Sequence, residues 1–545
     1  MQDASSPPIP KYSIEQKNLQ IMHDIFHSNP WSLFVGTFSL LLLWGAARAL
    51  EWAWLRPRRL DRALRKQGLR GTVYRPLAGD LKENARLNKE ARAKPMPLSH
   101  DITSRVAPLI HRTMKEFGKQ SITWVGPNPR VTIMDPELVK EILSNKFGHF
   151  ERQKISRLGR LLSNGLLNHE GEKWAKHRRI LNPAFHVEKL KRMLPAFSTC
   201  CDELLDRWNK SLGPNGSFEM DVWPEMQNFT GDVISRAAFG SSYEEGRRIF
   251  QLQSEQAERL IKAIPTLFIP FNWFLPTENN KRMKQIAREV RTLLMGIIAK
   301  REKAIQNGES PKDDLLGLLL ESNMREMGQN GKLDSSLGMT IDEVIEECKL
   351  FYFAGQETTS VLLTWTLIVL SMHPEWQGKA REEVLQHFGR EKPDFDGLSR
   401  LKIMNMILYE VLRMYAPAVM LTRRTYKTMQ LGDITIPPGV LLGMPIIFIH
   451  HDPDIWGSDA TEFKPTRFAE GISKATRNGQ LAFFPFGWGP RICIGQNFAL
   501  VEAKMGLSMI LQNFKFELSE KYQHAPYTVV TVHPEHGAPI KFHRL

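Results

Sequence analysis

A cysteine presented by a loop of fixed shape is the sharpest chemical feature of this sequence. Residues Phe484–Gly495 read Phe-Pro-Phe-Gly-Trp-Gly-Pro-Arg-Ile-Cys-Ile-Gly. Gly487, Gly489 and Gly495 permit positive φ and close backbone approach, and Pro485 and Pro490 stiffen the turn. The loop is therefore expected to offer its sulfur to a flat partner with few steric conflicts. Arg491, two residues before Cys493, is expected to lower the thiol pKa and to hold an anionic cofactor edge. Helical periodicity from Gln496 onward turns the positive end of a helix toward the sulfur. Cys493 thus reads as an anionic ligand. A lone Cys-x-Gly would instead suggest a buried structural cysteine. Zinc is disfavoured, because Cys200, Cys201 and Cys348 lie far off and neither a Cys-x-x-Cys nor a paired-histidine pattern accompanies Cys493.

Three further constellations carry chemistry. Trp174-Ala-Lys-His-Arg178 sets an aromatic ring and a guanidinium at i and i+4 on one helical face. Taken alone it would be a surface cation–aromatic contact. Ala354-Gly-Gln-Glu-Thr-Thr359 stands in the middle of a long apolar helical pattern. There a glycine costs about 1 kcal/mol and an unpartnered carboxylate costs more, and broken local rules mark functional sites. Gly355 and Thr358 share a face, so the missing side chain is expected to leave room beside the Thr358 hydroxyl. The bland alternative is a helix kink with the threonine bonded back to its own backbone. Glu410-Val-Leu-Arg413 pairs opposite charges at i and i+3, usually surface decoration worth about 0.2–0.5 kcal/mol.

Together these motifs, in this order, resemble the cytochrome P-450 family. Phe486-x-x-Gly489-x-Arg491-x-Cys493-x-Gly495 is similar to its haem-binding loop. The resemblance implies haem b as cofactor, with Cys493 as the thiolate ligand of the iron, an arrangement that favours O–O cleavage. It implies that Trp174, Arg178 and Arg423 meet the haem propionates, Arg being suited to grip a carboxylate bidentately. Thr358 and Glu357 fall in the oxygen-activating groove, Glu357 feeding protons from solvent. Glu410 and Arg413, with Arg467 in Phe463-Lys-Pro-Thr-Arg-Phe468, are similar to a buried charge network bracing the haem-loop side of the core. Two residues depart from the pattern: Ala416 stands where proline is frequent, and Thr466 where glutamate often stands. The resemblance covers about 76 to 545, and in detail is strongest to plant clan 72, subfamily A.

The elements that must position these groups follow from composition and periodicity. A 545-residue chain without internal repeats or long linkers past its N-terminal quarter suggests one large catalytic domain, 76–545. Four cysteines, two of them adjacent, make no disulfide framework. Residues 48–94 hold 14 Lys/Arg against 5 Asp/Glu, so most of the net +14 follows one apolar segment, a membrane-surface pattern and not a nucleic-acid one. Trp31–Ala47 is uncharged, at the short end of the ~17–25 residues that span a bilayer. The expectation is a lumenal segment 1–30, a signal-anchor helix 31–55 and a basic connector 56–75. The positive-inside rule then places the catalytic domain in the cytosol on a single-pass anchor in the endoplasmic reticulum membrane. A cleaved leader and a buried core helix are the alternatives. Ile122–Met134 predicts a hairpin around Gly-Pro-Asn-Pro, with further short strands near Gln430–Ile436 and Tyr527–Val532. Thr340-Ile-Asp-Glu343 is a capping box opening a helix that runs to His373-Pro374, about 50 Å at ~1.5 Å per residue. The fold class is mainly α with a small β part, the P-450 fold behind one transmembrane helix.

The function implied by the resemblance is insertion of one atom of O2 into a C–H bond of a small hydrophobic substrate. An isoprenoid-derived compound is implied: a terpenoid, triterpenoid or gibberellin-like acid. Electrons come from NADPH through a separate NADPH-cytochrome P-450 reductase, docked near Lys173, Lys176 and Arg179. Candidate pocket walls are Ser156–Leu167, Phe351–Ala354, Ala418–Thr422 and Val529–Val532. A hydroperoxide isomerase or dehydratase, and a non-catalytic haem sensor, are the rivals.

Overall fold

The computed structural model describes residues 30–145, 148–241, 243–266, 269, 271–307, 314–327 and 338–545. The expected lumenal segment lies, apart from its last residue, outside them. The chain divides after Leu60 into two units. In the first, Pro30–Leu50 is an α-helix followed by a π turn over Glu51–Leu55, and helix resumes at Arg56. Leu40, Leu41, Leu43 and Trp44 are each at least 65 % exposed. The stretch Leu33–Arg65 is long and apolar enough to cross a membrane.

Helices dominate the second unit, and among its described residues four small sheets are set between them. The six-stranded sheet runs Arg70–Gly71, Ser121–Val125, Asn128–Thr132, Leu441–Met444, Leu421–Thr425, Phe150–Glu151 in spatial order. Its second and third strands are the hairpin expected at Ile122–Met134. Pairing of Thr422 with Gly443 and Arg423 with Leu442 fixes the register in which Arg423 is buried and Arg424 is not. Alternation along a strand does the rest. Short antiparallel hairpins form at Met429–Leu431 with Ile434–Ile436, and at Pro526–Thr528 with Val532–Pro534.

The central helix, Ile341–Met372, opens on the expected capping box: Glu343 N–H donates to Thr340 Oγ1, and Thr340 N–H to Glu343 Oε2, both at 3.2 Å. It packs along the Val222–Phe239 helix so closely that a Cβ on Gly355 would lie 2.8 Å from Ile234 Cγ1. The Thr230 hydroxyl donates to the Gln356 carbonyl (3.0 Å) across the same contact. Farther along, Trp365 is fully buried, stacks on Tyr415 with centroids 4.4 Å apart, and donates its indole N–H to the Val532 carbonyl at 2.8 Å. The C-terminal hairpin is thereby moored to the central helix.

Candidate active site

The cysteine loop is assembled from its own backbone. Gly487 N–H donates to Phe484 O, Ile492 N–H to Gly489 O, and Cys493 N–H to Phe486 O at 2.9 Å. Gly489 has φ +72°, and a Cβ there would lie 2.8 Å from Leu143 O and 2.9 Å from Ser144 Cα, so only glycine lets the loop lie on that helix end. Gly487 also has a positive φ, +77°. Gly495 differs from expectation: its φ is −89°, and it caps the Gln496–Asn513 helix. What its missing side chain provides is space, since a Cβ would sit 4.0 Å from both Cys493 Sγ and Phe185 Cε1.

A buried network holds the loop from behind. Arg413 donates to both Glu410 oxygens at 2.8 Å, and Nη1 donates to the carbonyls of His450 (2.6 Å) and Ala460 (2.7 Å). Arg467 reaches Glu410 Oε1 at 3.3 Å and Asp459 at 2.9 Å. Glu410 and Arg413 are inaccessible to solvent. His450 carries the connection to the loop: its Nε2 accepts from Phe484 N–H at 3.0 Å, which makes Nδ1 the protonated nitrogen, donating to Arg413 O at 3.2 Å. Losing one member of so buried a pair costs about 3–5 kcal/mol.

Cys493 is the exposed cysteine among the four, while Cys200, Cys201 and Cys348 are buried. Its side chain is accessible, yet the protein atoms crowded about it push the thiol pKa up. The Gly495 N–H and the Arg178 guanidinium oppose that rise. Arg491 was expected to supply the charge. It turns away instead, donating to Glu170 Oε2 (2.5 Å) and His169 O (2.9 Å) with its guanidinium 4.5 Å over the Trp174 ring. Arg178 anchors to the loop through Ile492 O at 2.9 Å.

Around this loop four guanidiniums gather against one carboxylate. Burial holds Arg423 down to about 10 and Arg152 to about 9, each depressed further by Arg491, while Glu170 opposes. Arg178 and Arg491 are lowered for the same reason, burial. The Arg491 Nη1 is buried with no hydrogen-bond partner. A concentrated positive charge of this kind, with an orphaned donor, suits the two carboxylates of a flat anionic group beside an open sulfur, and the residues present fit haem. Arg152 and Glu170 were missed from sequence; each stands in a loop without periodicity. His177, on the Trp174–Arg178 helix, was missed as well: its Nδ1 is 2.6 Å from Glu347 Oε1 on the central helix.

On the central helix, Thr358 is the one exposed residue between Val344 and Met372. Its hydroxyl donates to Ala354 O at 2.9 Å. Gly355 does not open the space beside it, because Ile234 fills the place of the missing side chain. Glu357 is buried and finds two partners in the C-terminal hairpin, Thr531 Oγ1 and His533 Nε2, both 2.6 Å from its Oε1. Burial would raise its pKa, but His533 and Thr531 hold the carboxyl below its usual value. Phe185 joins the two halves of the site, stacking on Phe351 (5.4 Å) and facing Gly495. Of the candidate walls, Ser156–Leu158 line a cavity of about 460 Å³ with Ile269 and Phe271–Phe274, and Phe351, Val419, Thr531 and Val532 are buried. Lys173 is paired with Glu343 at 2.6 Å, and Arg179 is exposed.

A family model described as Cytochrome P450 matches residues 101–538. The chain is 64 % identical over 504 residues to Cytochrome P450 CYP72A616 of Paris polyphylla, covering 92 % of this chain and 96 % of that protein. It is 56 % identical to Cytochrome P450 72A397 of Kalopanax septemlobus (92 % and 95 % covered) and 52 % identical to Cytochrome P450 72A15 of Arabidopsis thaliana (94 % and 99 %). A solved structure titled "Retinoic acid bound cyanobacterial CYP120A1" superposes with a TM-score of 0.72 at 23 % identity, over 88 % of this chain and 99 % of that one, a likeness of fold.

Proposed function

This chain belongs to the cytochrome P450 family, and from that premise we propose its full reaction: insertion of one oxygen atom of O2 into a C–H bond of an isoprenoid-derived small molecule. Electrons come from NADPH through NADPH-cytochrome P-450 reductase. The observation that carries the assignment is that Cys493 is exposed on a rigid loop of half-buried residues, and Thr358 is exposed in the middle of the otherwise largely buried central helix. Groups left open at such cost serve a bound partner.

Cys493 binds the iron of haem b, and Arg152, Arg178, Arg423 and Arg491, with Trp174, receive the propionates. Haem held by a thiolate supplies the activation of dioxygen. Phe486, Gly489 and Gly495 set the height and clearance of the sulfur. Glu357 keeps a carboxylate next in sequence to Thr358, and the pair moves protons to the reacting oxygen. Glu410, Arg413 and Arg467 hold the loop in place. The apolar candidate walls suit a hydrophobic substrate, and the resemblance to subfamily 72A implies an isoprenoid-derived one. The helix from residue 31 anchors the protein in the endoplasmic reticulum membrane and the following basic residues keep domain 76–545 on the cytosolic side.

The test is turnover in a reconstituted mixture of the full chain, reductase, NADPH and a terpenoid panel, with products profiled. Oxygenated product that depends on both NADPH and reductase is expected. Product from hydroperoxides without reductase would mark an isomerase, and haem binding without any product a sensor.

A further inference from the structure

Glu357 is bonded to residues far along the chain, and the choice of partner is informative. A buried carboxylate must be compensated, and a guanidinium or ammonium would do so permanently. Here the compensation comes from an imidazole and a hydroxyl. His533 Nε2 lies 2.6 Å from Glu357 Oε1 and 2.9 Å from Thr531 Oγ1, and Thr531 Oγ1 lies 2.6 Å from the same carboxylate oxygen. The His533 ring is clasped between Trp223 (4.6 Å between centroids) and Tyr527 (5.9 Å, edge to face). Both side chains keep a little accessibility, 14 % for His533 and 10 % for Glu357, so the pair is not sealed from solvent. An imidazole takes up a proton on one nitrogen and releases one from the other, which no other side chain does near neutral pH.

We propose that His533 is a positioning residue of the proton path, passing protons from solvent to Glu357 while Thr531 keeps the carboxylate aimed. A proton accepted at Nδ1 is balanced by one given from Nε2 to Glu357 Oε1, leaving the ring neutral in its other tautomer. The titratable groups in contact with it are Glu357 on the central helix and Tyr527 on the facing strand, and Tyr527 in turn lies in the field of Arg92, Glu535, Glu357 and Glu258 of the Tyr243–Ala263 helix. Val529–Val532 is a candidate pocket wall, and on that reading the same hairpin carries both a substrate-facing segment and His533.

The inference rests on the monooxygenase assignment, and the experiment separates the two. His533→Gln retains an N–H donor for Glu357 but cannot exchange a proton; His533→Phe loses both. Product per NADPH, with peroxide quantified, and the thermal midpoint of the reduced carbon-monoxide band are measured for both variants in the reconstituted holoenzyme. His533→Gln is expected to keep the midpoint and lower product per NADPH about 3–10-fold, less than the ~10²-fold of a direct proton donor. An unchanged ratio in His533→Gln, beside a wild type that forms product, overturns this inference alone. A ratio that falls only in His533→Phe, together with the midpoint, also overturns it by making the histidine a structural tie. A wild type forming no oxygenated product with reductase overturns the assignment and this inference with it.

Discussion

The Cys493 loop takes its shape from residues 484–495 themselves, whereas Glu357 meets its partners 174 and 176 residues away in Thr531 and His533. On the thiolate side the innermost constraints are local, namely backbone hydrogen bonds, two positive φ angles and one helix dipole, and His450, Arg178 and the Leu143–Ser144 helix end brace that loop from outside. On the carboxylate side the constraint is a crossing of the central helix with a terminal hairpin, moored by the Trp365 N–H on Val532 O. Local architecture fixes the cysteine sulfur. Long-range architecture ties the buried carboxylate of Glu357 to the C-terminal hairpin.

Cys493→Ala removes the sulfur proposed to bind the haem iron and should have the largest effect. The red-shifted Soret band of the reduced carbon-monoxide complex should vanish completely; its retention would break the comparison at its first member.

Acid probes the carboxylate side. His100 is held to about 3 by burial and the neighbouring histidines, and His524, whose ring faces Trp365, to about 4 by burial. A buried neutral imidazole binds its proton in the unfolded chain first, so its contribution is fully present above about pH 6.5 and is lost as pH falls toward the folded value. His100 alone should remove about 3 kcal/mol by pH 4. Urea midpoints taken between pH 7.5 and 4.5 should fall accordingly, and a flat series would contradict the burial described for this cluster.

The glycines sharpen the thiolate side. Gly489→Ala places a Cβ against backbone of Leu143 and Ser144 as well as straining φ, and should cost about 2–3 kcal/mol. Gly487→Ala meets nothing nearer than Leu421 Cδ1 at 3.9 Å and should cost about 1 kcal/mol. Equal thermal shifts in the two variants would mean that the loop does not lean on the Pro136–Ser144 helix.

Legibility in the sequence followed the same division. The loop, the capping box, the Ile122–Met134 hairpin and the helix ending before Pro374 are written in contiguous residues, each with turn or cap chemistry of its own. Arg423 could be told from Arg424 only by strand register, which depends on Leu441–Met444. His450, Arg152 and His533 each act through a partner chosen by tertiary packing, and no spacing announces them. Gly355 shows the opposite failure: its signal was plain, a glycine inside a helix, but the same signal serves a cavity or a close helix crossing, and Ile234 decides for the crossing. Arg491 carried the expected charge but not beside the thiol, because Glu170 and the Trp174 ring hold it and Arg178 is the guanidinium that acts on Cys493.

The central claim is that Glu357 and Thr358 deliver protons to the reacting oxygen, and Thr358→Ala addresses it most directly. The substitution removes one hydroxyl, which donates to Ala354 O, and leaves Cys493 and the arginine cluster untouched. Haem binding should survive and NADPH consumption should continue. Product per NADPH should fall, with peroxide or water rising in its place, by no more than the ~10²-fold lower bound for a positioned acid, since water can occupy the position of a lost hydroxyl. An unchanged ratio of product to NADPH in the variant would contradict the account and leave Thr358 as a helix residue bonded to its own backbone.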